Sequence, residues 1–65
     1  MEEKMFWELK RRFDTPVWKV ESVTSVSGRG RGVYNVWFVT RDGRRSMDRY
    51  RVWWDEDHKL QTCLA

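Results

Sequence analysis

Sixty-five residues with a net charge of +3, 40% hydrophobic and 35% charged, make one domain near the lower size limit at which a chain folds on its own core. Five tryptophans argue against disorder, because each buries a large area and a small core can rest on few of them. One cysteine excludes a disulfide framework, and no apolar run suits a signal sequence or a membrane span; a reducing cytoplasm and no membrane partner are expected.

Residues 3–13 (EKMFWELKRRF) predict a helix. Met5, Phe6, Leu9 and Phe13 fall on one stripe at about 100° per residue, and Lys4, Glu8 and Arg12 follow at the four-residue spacing of surface ion pairs. Glu2 and Glu3 near the start and Lys10, Arg11 and Arg12 near the end suit the helix dipole. Pro16 stops it, since proline restricts the residue before it and has no amide hydrogen. Residues 17–26 are rich in β-branched side chains, and the three-residue spacing of Val20 and Val23 predicts a bulge. Residues 33–40 (VYNVWFVT) are apolar on both faces, as a central strand would be. Asp42-Gly43 signals a hairpin, residues 45–54 a third strand, Asp55 to Lys59 a polar turn, and residues 60–64 a short fourth strand. The expected fold class is α+β: an N-terminal helix packed on a curved four-stranded antiparallel meander, one domain over residues 1–65. That order of elements resembles the closing helix-and-sheet portion of cystatin-like and nuclear-transport-factor-like folds. The likeness is one of outline and carries no function.

Which side chains share a face depends on how the Asp42-Gly43 hairpin closes. A two-residue loop pairs Arg41 with Arg44 and puts Tyr34, Val36 and Phe38 beside Arg49, Arg51 and Trp53. A three-residue loop with a glycine bulge shifts the pairing by one. Tyr34, Val36 and Phe38 then join Tyr50, Val52 and Trp54 in the core, and Asn35, Trp37 and Val39 stay outside with Arg49, Arg51 and Trp53. The second register is preferred, because it keeps arginines away from a buried-looking run. Under either one, Arg49, Arg51 and Trp53 share a face that cannot be the core, since two buried unpaired arginines cost too much.

Charge is concentrated. Between Gly28 and Arg51 lie Arg29, Arg31, Arg41, Arg44, Arg45, Arg49 and Arg51 against Asp42 and Asp48, with no lysine. Arginine offers a planar fork that fits phosphate and stacks on aromatic rings, and Trp37 and Trp53 lie in or next to this stretch. Ser27 to Gly32 (SGRGRG) resembles the arginine–glycine repeats of RNA-binding tails and the start of a core histone tail. The resemblance covers six residues, and no family property follows from it. The bland alternative is a charged, solvated strand face and a soluble loop.

An enzyme is not expected. His58 is the one histidine and sits in an acidic turn, and with Cys63 it makes too few soft ligands for a zinc site. No cofactor or metal is implied. Two function classes remain. The first is sequence-tolerant binding of nucleic acid, single-stranded by preference, with Arg29, Arg31, Arg44 and Arg45 on phosphates and Trp53 with Trp37 or Phe38 stacking bases. The second is a small protein-binding inhibitor or adaptor of phage or mobile-element type, docking Arg49, Arg51 and Trp53 on an acidic host surface. The modest total charge weakens the first, which stays slightly ahead. Homodimerisation is the other usual support for so small a core and stays open.

Overall fold

The computed structural model describes residues 2–26 and 32–65. The glycine–arginine motif, with Arg29 and Arg31, falls almost wholly outside the described residues.

The apolar stripe near the N-terminus folds as helix α1, Glu3–Phe13, and buries Met5 and Leu9 while Phe6 and Phe13 are half-buried. Asp14 ends it in an extended conformation, its amide donating to the Lys10 carbonyl at 2.9 Å. The Asp14 carboxylate then accepts the Val20 amide at 2.8 Å and the Lys10 ammonium at 2.9 Å, tying the helix end to the first strand. Strand β1 runs Lys19–Ser25, shorter than the expected 17–26. The Thr15 amide donates to the Trp18 carbonyl at 2.8 Å and the Thr15 hydroxyl accepts the Trp18 amide at 2.9 Å, so a tight turn holds Pro16 and Val17 outside the sheet.

Strands β2 (Val33–Val39), β3 (Arg45–Trp54) and β4 (Leu60–Leu64) complete an antiparallel sheet in the order β1-β2-β3-β4. The protein is an α+β helix on a four-stranded meander. The β1–β2 register slips between Val20 and Ser22, which places the extra residue, Glu21, where the Val20–Val23 spacing predicts a bulge. The β2–β3 hairpin closes on three residues: Thr40 donates its amide to the Arg44 carbonyl at 2.8 Å, and Gly43 takes φ +90°. Tyr34 therefore lies opposite Tyr50, Val36 opposite Asp48 and Trp37 opposite Met47. This is the preferred register, and it decides the two faces.

Two groups of buried side chains sit under the helix. Met5, Leu9, Val52 and Leu60 form one, and Val20, Val36 and Phe38 the other, with Phe13, Val23 and Tyr50 packed against both. Phe13 joins them through a stacked contact with Tyr50 at 4.6 Å and an edge contact with Phe38 at 6.3 Å between ring centroids. Aromatic pairs of this kind contribute about 0.5–1.5 kcal/mol beyond their buried area. Among the described residues no helix is long and apolar enough to cross a membrane.

Candidate functional site

The face of the sheet away from α1 follows from the hairpin register and period-two alternation. β3 presents Arg45, Met47, Arg49, Arg51 and Trp53 there, and β2 presents Asn35, Trp37 and Val39. β1 adds Lys19, Ser22 and Thr24, and β4 adds Gln61 and Cys63. Four cations (Lys19, Arg45, Arg49 and Arg51) thus share a face with one carboxylate, Glu21, whose Oε1 lies 3.5 Å from Arg45.

Trp37 and Met47 are direct cross-strand partners, each 37% exposed, and Trp53 is 43% exposed. Trp53 pairs with Gln61, not with a residue of β2, because the β2–β3 pairing ends at Val33–Arg51. Met47 and Trp53 are six residues apart on β3, so the backbone positions that carry the two indoles are about 20 Å apart at about 3.3–3.4 Å per residue. The face is an extended track, with an indole and a thioether at one end, an indole at the other, and Arg49 and Arg51 between them. Arg49 is half-buried and tethered: its Nε donates to Asn35 Oδ1 at 3.1 Å, and its terminal nitrogens make no ion pair among the described residues. Arg51 is exposed and makes no ion pair among the described residues.

The other expected site residues are placed apart. Arg44 belongs to the opposite face, where its guanidinium stands over the Trp18 ring at 5.9 Å and its Nε lies 3.4 Å from Asp42. Phe38 is buried under the helix and cannot stack a base. Arg45 stays on the track but is shared with Glu21. Arg29 and Arg31 lie outside the described residues.

Two participants escaped sequence reasoning, while Asn35 stands outside with Arg49 as the preferred register expects. Met47 becomes visible only once the register names its partner, Trp37. Val33 is the second. It is buried although its alternation puts it on the arginine side, where it lines a shallow hollow with Arg49, Arg51 and Ala65. The Ala65 amide donates to the Arg49 carbonyl at 3.1 Å, so the C-terminal residue holds the β3 backbone there.

The Asp42 pKa is lowered, chiefly by the Thr40 hydroxyl, which donates to its carboxylate, and that contact orders the turn. Asp55 organises the last turn: its carboxylate accepts the Asp57 and Lys59 amides and the Gln61 side-chain amide, and the Lys59 amide leads in lowering its pKa. The acidic triplet of residues 55–57 is therefore headed by a turn-forming residue, and His58 follows at φ +60°. Comparison with family models, with curated proteins and with solved structures gives no match to this chain.

Proposed function

We propose that the protein is a non-enzymatic binding module whose outer sheet face takes single-stranded nucleic acid without strict sequence preference. The observation that carries this reading is the track itself: Arg49 and Arg51 lie between two exposed indoles, Trp37 on β2 and Trp53 on β3, whose strand positions are about 20 Å apart. Every base has a π-face, so Trp37 and Trp53 stack bases whatever the sequence, and the guanidiniums between them meet the phosphates that join those bases. The groove of a duplex calls for a protruding helix or ribbon, and this surface is an open sheet face instead. Lys19 and Arg45 extend the positive field beyond Trp37 and Met47.

The test is titration of labelled oligonucleotides, single-stranded against duplex, at low salt. Single strands bind more tightly than duplex of the same length, and affinity rises with length until both indoles are engaged. Absence of binding at tens of micromolar protein, or preference for duplex, overturns the reading.

One observation favours a second reading, docking on an acidic protein surface. Met47 beside Trp37 widens the apolar patch, and Arg, Trp and Met together are the residues enriched in interface cores. Nuclease treatment of a lysate before capture separates the two: a partner that survives digestion and competes with oligonucleotide supports the protein reading.

A further inference from the structure

The helix-side face carries a second surface that the outer track does not use. β4 pairs only with Tyr50–Trp54 of β3, which leaves the earlier half of that strand an open edge. At that edge α1 has ended at Phe13, and the turn around Pro16 has carried the chain to Trp18. The corner between them is a hollow of about 340 Å³ walled by Phe13, Trp18, Phe38 and Tyr50, with Ser46 and Asp48 on its strand edge. This volume lies at the small end of ordinary ligand sites.

The hollow has a definite chemistry. Three aromatic walls are already locked against one another through Phe13, stacked on Tyr50 and edge-on to Phe38. These contacts fix the orientation of the rings, so the walls of the hollow are set before a guest arrives. Asp48 lies opposite Val36 on the helix side, and its carboxylate makes no hydrogen bond or ion pair among the described residues. Its charge is felt locally: burial first and then the Asp48 carboxylate raise the Tyr50 pKa. The faces of aromatic rings carry partial negative charge, and they lie here beside a carboxylate with no ion-pair partner among the described residues. Arg44, seated over the Trp18 ring at 5.9 Å, shows that ring already accepting a cation from within the chain. Arg44 itself is directed to Asp42 and does not line the hollow.

We propose that this corner is a binding site for an organic cation, an N-alkylated ammonium whose apolar substituents contact Phe13, Trp18, Phe38 and Tyr50 while its charge faces Asp48. The site is independent of the outer track, because β3 sends alternate residues to opposite faces. The same head group reaches it as a free small molecule or as an alkylated lysine side chain on a peptide.

The experiment follows aromatic and amide chemical shifts of the full chain during titration with choline, with its uncharged isostere 3,3-dimethyl-1-butanol, and with short peptides bearing trimethyl-lysine or unmodified lysine. Choline is expected to shift Trp18, Ser46, Asp48 and Tyr50 together and to bind at least about fivefold more tightly than the isostere. Asp48→Asn, at an exposed position that the fold does not depend on, weakens choline by about three- to tenfold, while Glu56→Gln, in the distant last turn, leaves it unchanged. Tighter binding of the trimethyl-lysine peptide than of choline identifies a peptide as the source; the reverse order identifies a free metabolite. Equal binding of the isostere, an unaltered affinity in Asp48→Asn, or shifts scattered over the surface overturns the proposal. Loss of oligonucleotide binding does not bear on it.

Discussion

Removing Arg49 and Arg51 together tests the outer track most directly, because its expected effect has a magnitude and a salt signature. Both side chains lie between the two exposed indoles, and neither is consumed by an ion pair among the described residues. Each phosphate neutralised on a single strand adds about 0.7 to the slope of log K against log salt. Taking each contact as purely counterion release, one arginine is worth about eightfold in affinity at about 50 mM salt and about threefold at about 200 mM. The Arg49→Ala/Arg51→Ala double variant should therefore bind about 60-fold more weakly at the lower salt and about 10-fold more weakly at the higher, with its slope reduced by about 1.4. Arg44→Ala is the internal control, since Arg44 lies over Trp18 on the other face and should leave both affinity and slope nearly unchanged. Asn35→Ala should cost less than either track arginine and leave the slope intact, because Asn35 orients Arg49 through its Nε and carries no charge. The assay is fluorescence anisotropy of a labelled oligonucleotide across a salt series. A double variant that loses the same factor at every salt concentration, or an Arg44 variant that loses as much as it does, refutes the reasoning.

The stacking ends make a matching prediction. Trp37→Ala and Trp53→Ala should each cost about 1–3 kcal/mol of oligonucleotide binding, measured in the same titration, while thermal melts stay close to the parent. In the core, Leu9 is fully buried, and Leu9→Ala should remove about 2–5 kcal/mol; a domain of this size has about 3–10 kcal/mol in all, so circular dichroism should show a large fall in melting temperature or no fold. Gly32 has φ +79°, and a Cβ there would sit 2.8 Å from the Val52 carbonyl oxygen, whereas Gly43 at φ +90° meets open space. Gly32→Ala should accordingly destabilise more than Gly43→Ala in urea unfolding, the second change costing about 1 kcal/mol for conformation alone. For pH, burial pushes the Asp14 carboxyl up, but the Val20 amide, Lys10 and Lys19 outweigh it and its pKa is lowered. A depressed folded-state value adds stability above the unfolded pKa, near 3.8, that is lost as pH falls through the folded value; Asp14→Asn should flatten the urea midpoint across that acid window.

The fold was largely legible because local signals agreed with one another. The stripe of Met5, Phe6, Leu9 and Phe13 has no strand reading, and Pro16 admits no continuation of the helix. The hairpin register could be argued from cost alone: the alternative set Arg51 opposite Tyr34 and Arg49 opposite Val36, and the chain closes on three residues with Gly43 at positive φ. The site was legible only in part. Alternation placed Arg49, Arg51 and Trp53 on one face, but the distance between Trp37 and Trp53 depends on where the β2–β3 pairing ends, and no residue type announces that. Arg44 could not be given a face from the sequence, because charge in a strand sequence carries no face until the turn length is known; it lies over Trp18, away from the track. The corner hollow was invisible for a different reason. It arises from β4 being short enough to leave Ser46 and Asp48, paired with β2 on one side, without a strand on the other, a consequence of strand lengths far apart in the chain.

The balance between core and surface argues against the bland reading of the outer face. Below about 70–80 residues a single core supplies little excess stability, so a chain of 65 has few large apolar side chains to place elsewhere. Yet Trp37, Met47 and Trp53 stand on the face that α1 leaves uncovered. Alternation asks only for a polar side chain facing water at each of these positions, and threonine would satisfy both it and β-propensity. Nothing in the packing under α1 uses them, since neither buried group includes any of the three. Solubility does not explain them either, because exposed indoles and thioethers invite association. What they have in common is position. They flank the two arginines that make no ion pair among the described residues, so the apolar ends and the charged centre form one surface with the composition of a contact site.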